Sequence, residues 1–188
     1  MVRLRPLSVR DQSAWRDARQ RNQAWLGRWD ATAPPGSRAR PRTFAAMVRG
    51  MRREARAGRQ LPFAIDYDRL FVGQLTVNNV VRGSAQFASL GYWIDQRWAG
   101  RGIVPMAVAM VIDHCFGIVG LHRVEIAIRP ENTASLRVVE KLGIAQIGYA
   151  PRFLHIDGEW RDHRIFAVTR EEVPGLMIDR LRSHQSQE

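Results

Sequence analysis

The stretch "DQRWAGRG", residues 95–102, is followed at once by "IVPMAVAMVIDHCF", residues 103–116. Two glycines bracket an arginine, and the chain then turns apolar for a full helix length. Tyr92-Trp93-Ile94, a run of β-formers, leads into it. A strand, a glycine turn and a helix N-terminus make an anion site. Glycine lets the backbone come close to a ligand, exposed N–H groups point outward, and the helix dipole favours negative charge. Pro105 suits the first helical turn, where a missing N–H costs little. The pattern is not a dinucleotide fingerprint, because Gly100-Arg101-Gly102-Ile103-Val104-Pro105 lacks a third glycine. It is not a nucleoside-triphosphate loop, because no G-K-[ST] closes it. On these residues alone, a plain strand-to-helix turn remains the alternative.

Downstream, "LHRVEIAI" (121–128) reads as a strand. "ENTASLRVVEKLG" (131–143) reads as a helix with Leu136, Val139 and Leu142 on one side and Gly143 as its stop. "AQIGYAPRFLHI" (145–156) and "WRDHRIFAVT" (160–169) are two strands joined at Asp157–Gly158. A last helix is expected over about 171–182, with a fraying polar tail at 183–188. Upstream, "VRLRPL" (2–7) is a strand, and Ser8 with Asp11 starts a helix that runs to about Trp25. "ATAPPGSRARPR" (31–42) is a loop. Thr43 caps a second helix with Phe44, Met47, Val48 and Met51 on its apolar face, ended by Gly58. Residues 61–81 form two strands around a turn near Asp68–Arg69, and 85–95 form a third. The order β-α-α-β-β-β-α-β-α-β-β, before the closing helix, predicts one domain over residues 1–188. Its architecture is α/β, a mixed sheet with helices on both faces.

The composition agrees with a single core: 188 residues, 45% of them hydrophobic. No apolar run reaches the length of a membrane span. "MVRLRPLSVRD" has no signal-peptide core, so a cytoplasmic location without membrane association is expected. Cys115 is the only cysteine, which excludes an intrachain disulfide and a Cys-rich metal site. Five histidines have no ligand spacing, so no metal is expected. The formal charge is +11, and Lys141 is the only lysine among 29 basic residues. This arginine excess reads either as codon preference or as adaptation to an anionic partner.

Arg97-Trp98-Ala99-Gly100-Arg101-Gly102 matches the R/Q-x-x-G-x-G/A signature of the GCN5-related N-acetyltransferase (GNAT) family. Asn132-Thr133-Ala134-Ser135 with Glu140-Lys141-Leu142-Gly143-Ile144 resembles the family's N-x-x-S…E-K-x-G-F block. Ile156-Asp157-Gly158-Glu159-Trp160-Arg161-Asp162-His163 resembles the I-D/N-G-x-W-R-D-H segment of its RimJ-type ribosomal-protein alanine N-acetyltransferases. The resemblance implies a strongly twisted sheet of about seven strands whose central strands splay to hold acetyl-CoA. It implies that backbone N–H groups of Ala99, Gly100, Arg101, Gly102 and Ile103 hold the pyrophosphate, with added charge from Arg97 and Arg101. Trp93, Ile94 and Asp95 would pair with the pantetheine arm, and a backbone N–H there would hold the oxyanion. Asn132 is a good helix cap, and by resemblance it also bonds the cofactor arm. Ser135 would protonate the leaving thiolate.

The general base has no clear counterpart. The strand before the Asp157–Gly158 turn, Arg152-Phe153-Leu154-His155, carries no acid. The candidates are Asp95, Glu159, Asp162, His155 and His163, with Glu159 and Asp162 placed beside Ser135 as the catalytic set. A protein α-amine titrates near about 7.7–8.0 and lysine near about 10.4, so near pH 7.5 roughly a quarter to two-fifths of α-amines are neutral against about 0.1% of lysines. An N-terminal substrate therefore needs little basic help. Cys115, inside the apolar helix, reads as a small buried hydrophobe, which favours direct transfer over an acyl-enzyme. Trp25, Trp29, Trp160 and the loop 31–42 are candidate walls for the acceptor.

These readings point to acetyl transfer to a protein or peptide N-terminus, with a ribosomal protein's alanine near ribosomal RNA as the specific case. Small-amine acetylation and a noncatalytic CoA- or RNA-binding module are the alternatives. Monomer and dimer are both left open.

Overall fold

In the computed structural model, which describes residues 1–37 and 43–185 with side chains through Ser183, the β-rich runs become strands of one sheet. They are β1 (Val2–Pro6), β2 (Leu61–Tyr67), β3 (Leu70–Val81), β4 (Phe87–Ile94), β5 (Arg123–Ile128), β6 (Ala145–Ile156) and β7 (Glu159–Thr169). Their order is β1-β2-β3-β4-β5-β7-β6. Every neighbouring pair is antiparallel except β4–β5, which is parallel. The β2–β3 turn places Asp68 and Arg69 at φ 48° and 69°, the left-handed pair that a two-residue hairpin needs.

Helices cover both faces, as expected. They are α1 (Gln12–Arg21), α2 (Gln23–Leu26), α3 (Phe44–Arg56), α4 (Ile103–Gly117), α5 (Thr133–Lys141) and α6 (Met177–Gln185). Alternation along β2 divides the core. Ala64 packs with Leu7 and Val48 of α3, while Ile65 joins the larger cluster with α4, α5 and α6. α4 is apolar nearly all round because it is enclosed. Ile103, Ala107, Val108, Val111, Ile112 and Cys115 are buried between the sheet and the two later helices. No helix among the described residues is long and apolar enough to cross a membrane.

Three expectations need correction. The first helix does not run unbroken to Trp25. A 3-10 turn, Val9–Asp11, precedes α1, and the helix breaks at Asn22. There Asn22 Nδ2 donates to Ala18 O at 2.7 Å and Oδ1 accepts from Gln96 N at 2.9 Å, so a tertiary bond takes the residue out of the helix. The last helix begins at Met177 rather than near 171, because Pro174 and Gly175 interrupt the pattern. Its start is fixed from outside: Asp113 of α4 accepts from Met177 N at 2.6 Å and Ile178 N at 3.2 Å. Ser183 to Gln185 belong to α6 rather than to a tail. Residues 186–188 of that tail, and 38–42 of the expected loop, lie outside the described residues.

Candidate active site

β4 and β5 share three rungs only: Phe87–Arg123, Ala88–Val124 and Ser89–Glu125. Beyond them each strand keeps its other neighbour. β4 stays on β3 to the pair Gly73–Ile94, and β5 stays on β7 to Ile128–Arg164. The strands therefore part and present two backbone edges with no rung between them, the kind of edge an extended ligand arm can use. A bulge on β3 between Asn78 and Val81 sits level with the last rung. Asn79 is left-handed there (φ 52°) and its Nδ2 donates to Ser89 Oγ at 3.1 Å. Bulges bend and twist a strand, so the parting begins where the bend is built. Gly73 secures the far end: a Cβ there would lie 2.3 Å from the Trp93 carbonyl oxygen.

The loop that opened the sequence reading follows. Asp95 is 2% exposed and caps a 3-10 turn, Gln96–Trp98, by accepting from Arg97 N at 3.1 Å. Its carboxylate also takes the guanidinium of Arg97 (2.8 Å) and of Arg21 (2.9 Å). Burial alone would raise this carboxyl; the bonds from Arg97 and Arg21 outweigh it and hold the group well below the usual carboxylate range. Asp95 is thus an anchor and a very weak base. Arg97, expected to lend charge to a phosphate, is engaged on Asp95. Arg101 stacks over Trp98 at 4.8 Å, and Trp98 lies against Tyr67.

Gly100 and Gly102 are both left-handed (φ 76° and 73°), a region that L side chains adopt only with strain. Gly102 is the N-cap of α4 and supplies no side-chain cap. The first-turn N–H groups of Ile103 and Val104 are therefore left for a ligand, and Pro105 has none to waste. The residues fit a CoA-type molecule: an amide-rich arm suits the parted edges, and a pyrophosphate suits the glycine turn.

Across the gap, Asn132 caps α5, its Oδ1 accepting from Ser135 N at 3.1 Å. This fixes Ser135 in the first turn, on the side of the sheet that carries α4. Sequence reading missed the residue opposite. Tyr92 looks like one more β-former, yet its Oη is buried and has no hydrogen-bond partner. Burial lifts its hydroxyl to about 12, opposed by the neighbouring Ser135 side chain.

The remaining candidate bases are engaged elsewhere. Glu159 is exposed and pairs with Arg161 at 3.0 Å. Asp162 accepts from the Tyr149 hydroxyl and from Arg152 N, and these bonds hold it below the ordinary carboxylate range. His155 Nδ1 meets Thr32 Oγ1 at 2.7 Å and its ring stands edge-on to Trp160. His163 is buried with Nδ1 on Arg161 O at 2.9 Å, so Nδ1 carries the proton. Burial lowers its pKa, against the opposing pull of the Arg161 carbonyl. Cys115 is buried and its thiol is pushed up to about 12 by desolvation, which agrees with its reading as an unreactive core residue.

Of the candidate walls, Trp29 is held between Arg28 and Arg129 (4.5 and 5.2 Å), Trp25 is half-buried, and Trp160 stands out on the β6–β7 hairpin. The chain at Asp30–Thr32 is tied to that hairpin by Asp157 N on Asp30 O and Thr32 N on His155 O. On the other face of β4, Trp93 packs with Trp15 and Phe71 under the Arg19 guanidinium. Beside Trp15 lies a cleft of about 460 Å³ lined by Gln12, Arg16, Thr43, Phe44 and Ala45. Neither the cluster nor the cleft has a local signature, since they join residues from α1, α3 and two strands.

Comparison with known proteins places these features. Residues 2–145 match the family model of an acetyltransferase (GNAT) domain. The [Ribosomal protein uS5]-alanine N-acetyltransferase of Escherichia coli (strain K12) is 32% identical over 172 residues, covering 89% of this chain and 88% of that protein. A probable N-acetyltransferase of Bacillus subtilis, YjcK, is 38% identical over 106 residues, covering 56% of this chain and 58% of that protein. Among solved structures, Mycobacterium smegmatis RimJ in complex with CoA-disulfide superposes with a TM-score of 0.91 at 41% identity, covering 98% of this chain and 89% of that one.

Proposed function

The chain belongs to the acetyltransferase (GNAT) family, and from that premise we propose that it acetylates the N-terminal α-amine of a protein, with the N-terminal alanine of a ribosomal protein as its target. Acetyl-CoA supplies the activated acetyl thioester. The chain's own part is division of labour across the parting. The Ala99 N–H, expected on the pyrophosphate, is spent on Gln96 O at 3.1 Å, so the N–H groups of Gly100 to Val104 hold the pyrophosphate, and the free edge of Trp93–Asp95 lines up the arm. A backbone N–H there steadies the carbonyl oxygen as negative charge grows on it. Ser135 gives its proton to the departing sulfur.

The observation that carries the choice of amine is the state of the candidate bases. Asp95, Glu159 and Asp162 are each in ion pairs or hydrogen bonds, so none of these three carboxylates is a ready base. Such a site suits an amine that arrives already neutral, as an α-amine does far more often than a lysine. The relative named for uS5 alanine acetylation supports the same reading.

The ribosomal context has its own support on α3. Arg49, Arg52 and Arg56 follow Ala45 at helical spacing, so all four share one face. Ala45 lines the cleft beside Trp15, and the three arginines are exposed. The acid of this helix, Glu54, is taken by Arg59 at 2.7 Å. An anionic backbone such as ribosomal RNA matches this stripe.

The test is acetyl-CoA consumption across peptides with Ala, Ser or Met N-termini, an N-terminally blocked lysine peptide and small amines. Turnover confined to free peptide N-termini is the expected result. Faster turnover of lysine or of small amines overturns the assignment while leaving the family intact.

A further inference from the structure

We propose that Tyr92 is a positioning residue for acetyl transfer, its hydroxyl donating to Ser135 Oγ and thereby aiming the Ser135 proton into the parting between β4 and β5. The inference rests on the reading of Ser135 as proton donor.

Tyr92 lies on β4 beyond the last β4–β5 rung, opposite Leu75 of β3. Its ring packs against the core on the α4 and α5 side, together with Leu136, the residue after Ser135. The polar tip is another matter. Among the described residues, the buried side-chain N and O atoms without a hydrogen bond are Tyr92 Oη, Arg129 Nε and Arg161 Nε. A buried hydroxyl without a partner is destabilising, and phenylalanine would fill the same space without that cost. The Ser135 side chain is near enough to be felt by the Tyr92 hydroxyl, yet the two are not in bonding geometry. The pair is a bond waiting for a small rotation.

What the bond does follows from the chemistry of helical serine. Left alone, a serine hydroxyl in a first turn can satisfy itself on a nearby backbone carbonyl of its own segment. Its proton then points at the backbone. A hydroxyl has one donor and two acceptor sites. A donor from Tyr92 at Ser135 Oγ occupies one acceptor site and leaves the Ser135 O–H free to turn toward the gap. Because burial holds the Tyr92 hydroxyl near about 12, it stays protonated, and so remains a donor, across the working pH range.

The step balances. The amine nitrogen bonds to the acetyl carbon and the C–S bond breaks. The Ser135 proton goes to sulfur, and the proton lost by nitrogen returns to Ser135 through water. Tyr92 gains and loses nothing.

The test is a cycle of Tyr92→Phe, Ser135→Ala and the double variant, read as kcat, KM for acetyl-CoA and thermal midpoint. Tyr92→Phe is expected to lower kcat about tenfold, a part of the roughly hundredfold to ten-thousandfold that positioned proton transfer contributes, because Tyr92 acts only through Ser135. KM for acetyl-CoA stays level and the thermal midpoint stays level or rises, which a merely structural tyrosine would not give. In the Ser135→Ala background, Tyr92→Phe is expected to change nothing further. Full kcat in Tyr92→Phe, with kcat lost in Ser135→Ala, overturns the proposal and leaves the Ser135 reading standing. Losses that multiply in the double variant also overturn it, since the two groups then act independently. A raised KM for acetyl-CoA at unchanged kcat overturns it in favour of direct contact with the cofactor arm. A silent Ser135→Ala removes the underlying reading itself.

Discussion

The two banks of the parting are built in opposite ways. The β4 bank, from Tyr92 through Asp95 to Gly102 and backed by Gly73 of β3, is backbone held by buried charge: one carboxylate, 2% exposed, gathers two guanidiniums and a main-chain N–H. The β6–β7 hairpin beyond the other bank shows side chains instead. Tyr149, Phe153 and Trp160 are each about half exposed, and its acids pair locally. The difference teaches which half of the reaction is fixed. Holding an acyl carrier is one task and tolerates a rigid cradle. Choosing an amine varies among relatives and falls to exposed side chains that little else constrains.

The sharpest way to break this comparison is Gly73→Val. The added atoms meet the Trp93 carbonyl at a distance no strand tolerates. A stability loss of about 2–3 kcal/mol is expected, with acetyl-CoA binding abolished, by urea denaturation and calorimetry. Normal binding would mean the edge at Trp93–Ile94 is not where the arm lies.

Next comes Asp95→Asn. The carboxylate is buried but Arg97 and Arg21 are half exposed, so the expected cost is only about 1–2 kcal/mol. Its pH signature is more telling. The folded carboxyl titrates below its unfolded range, so its stabilisation is complete above that range and drains away as pH falls through and below it. Asp95→Asn flattens the acid limb of the stability curve. His163 works in a different window. Its folded pKa lies below the ordinary 6.5, so stability falls as pH drops from 6.5. His163→Gln removes that loss.

Gly102→Ala is milder. It forces a side chain into φ 73° and is expected to raise KM for acetyl-CoA about fivefold to tenfold, consistent with a strain of about 1–2 kcal/mol. Smallest are Glu159→Gln and Asp162→Asn, each expected to leave kcat on an N-terminal peptide within about threefold. A hundredfold loss in either would give the hairpin a base and make the two banks partners in the chemistry.

These differences also explain what the sequence could disclose. Gly100 and Gly102 were legible because a left-handed turn demands glycine, and Asn132 because caps have a local vocabulary. The parting was not legible from periodicity, since nothing in "FASLGYWI" says which strand lies beside it or for how many rungs. It entered only through family resemblance. The break at Asn22 depends on a bond to Gln96, and the start of α6 on Asp113, both contributed from far along the chain. Tyr92 was hidden by its own suitability for a strand.

The cap that Asp113 places on α6 sets an order in time. Its carboxylate waits 64 residues for the Met177 N–H, and Met177 and Leu181 complete the core around α4. At about 5–20 residues per second, a ribosome needs roughly 3–13 s to supply that stretch. Until then α4 carries an unanswered acid in a half-closed interior. The core around α4 therefore closes late: on a ribosome that helix waits for a partner made well after it.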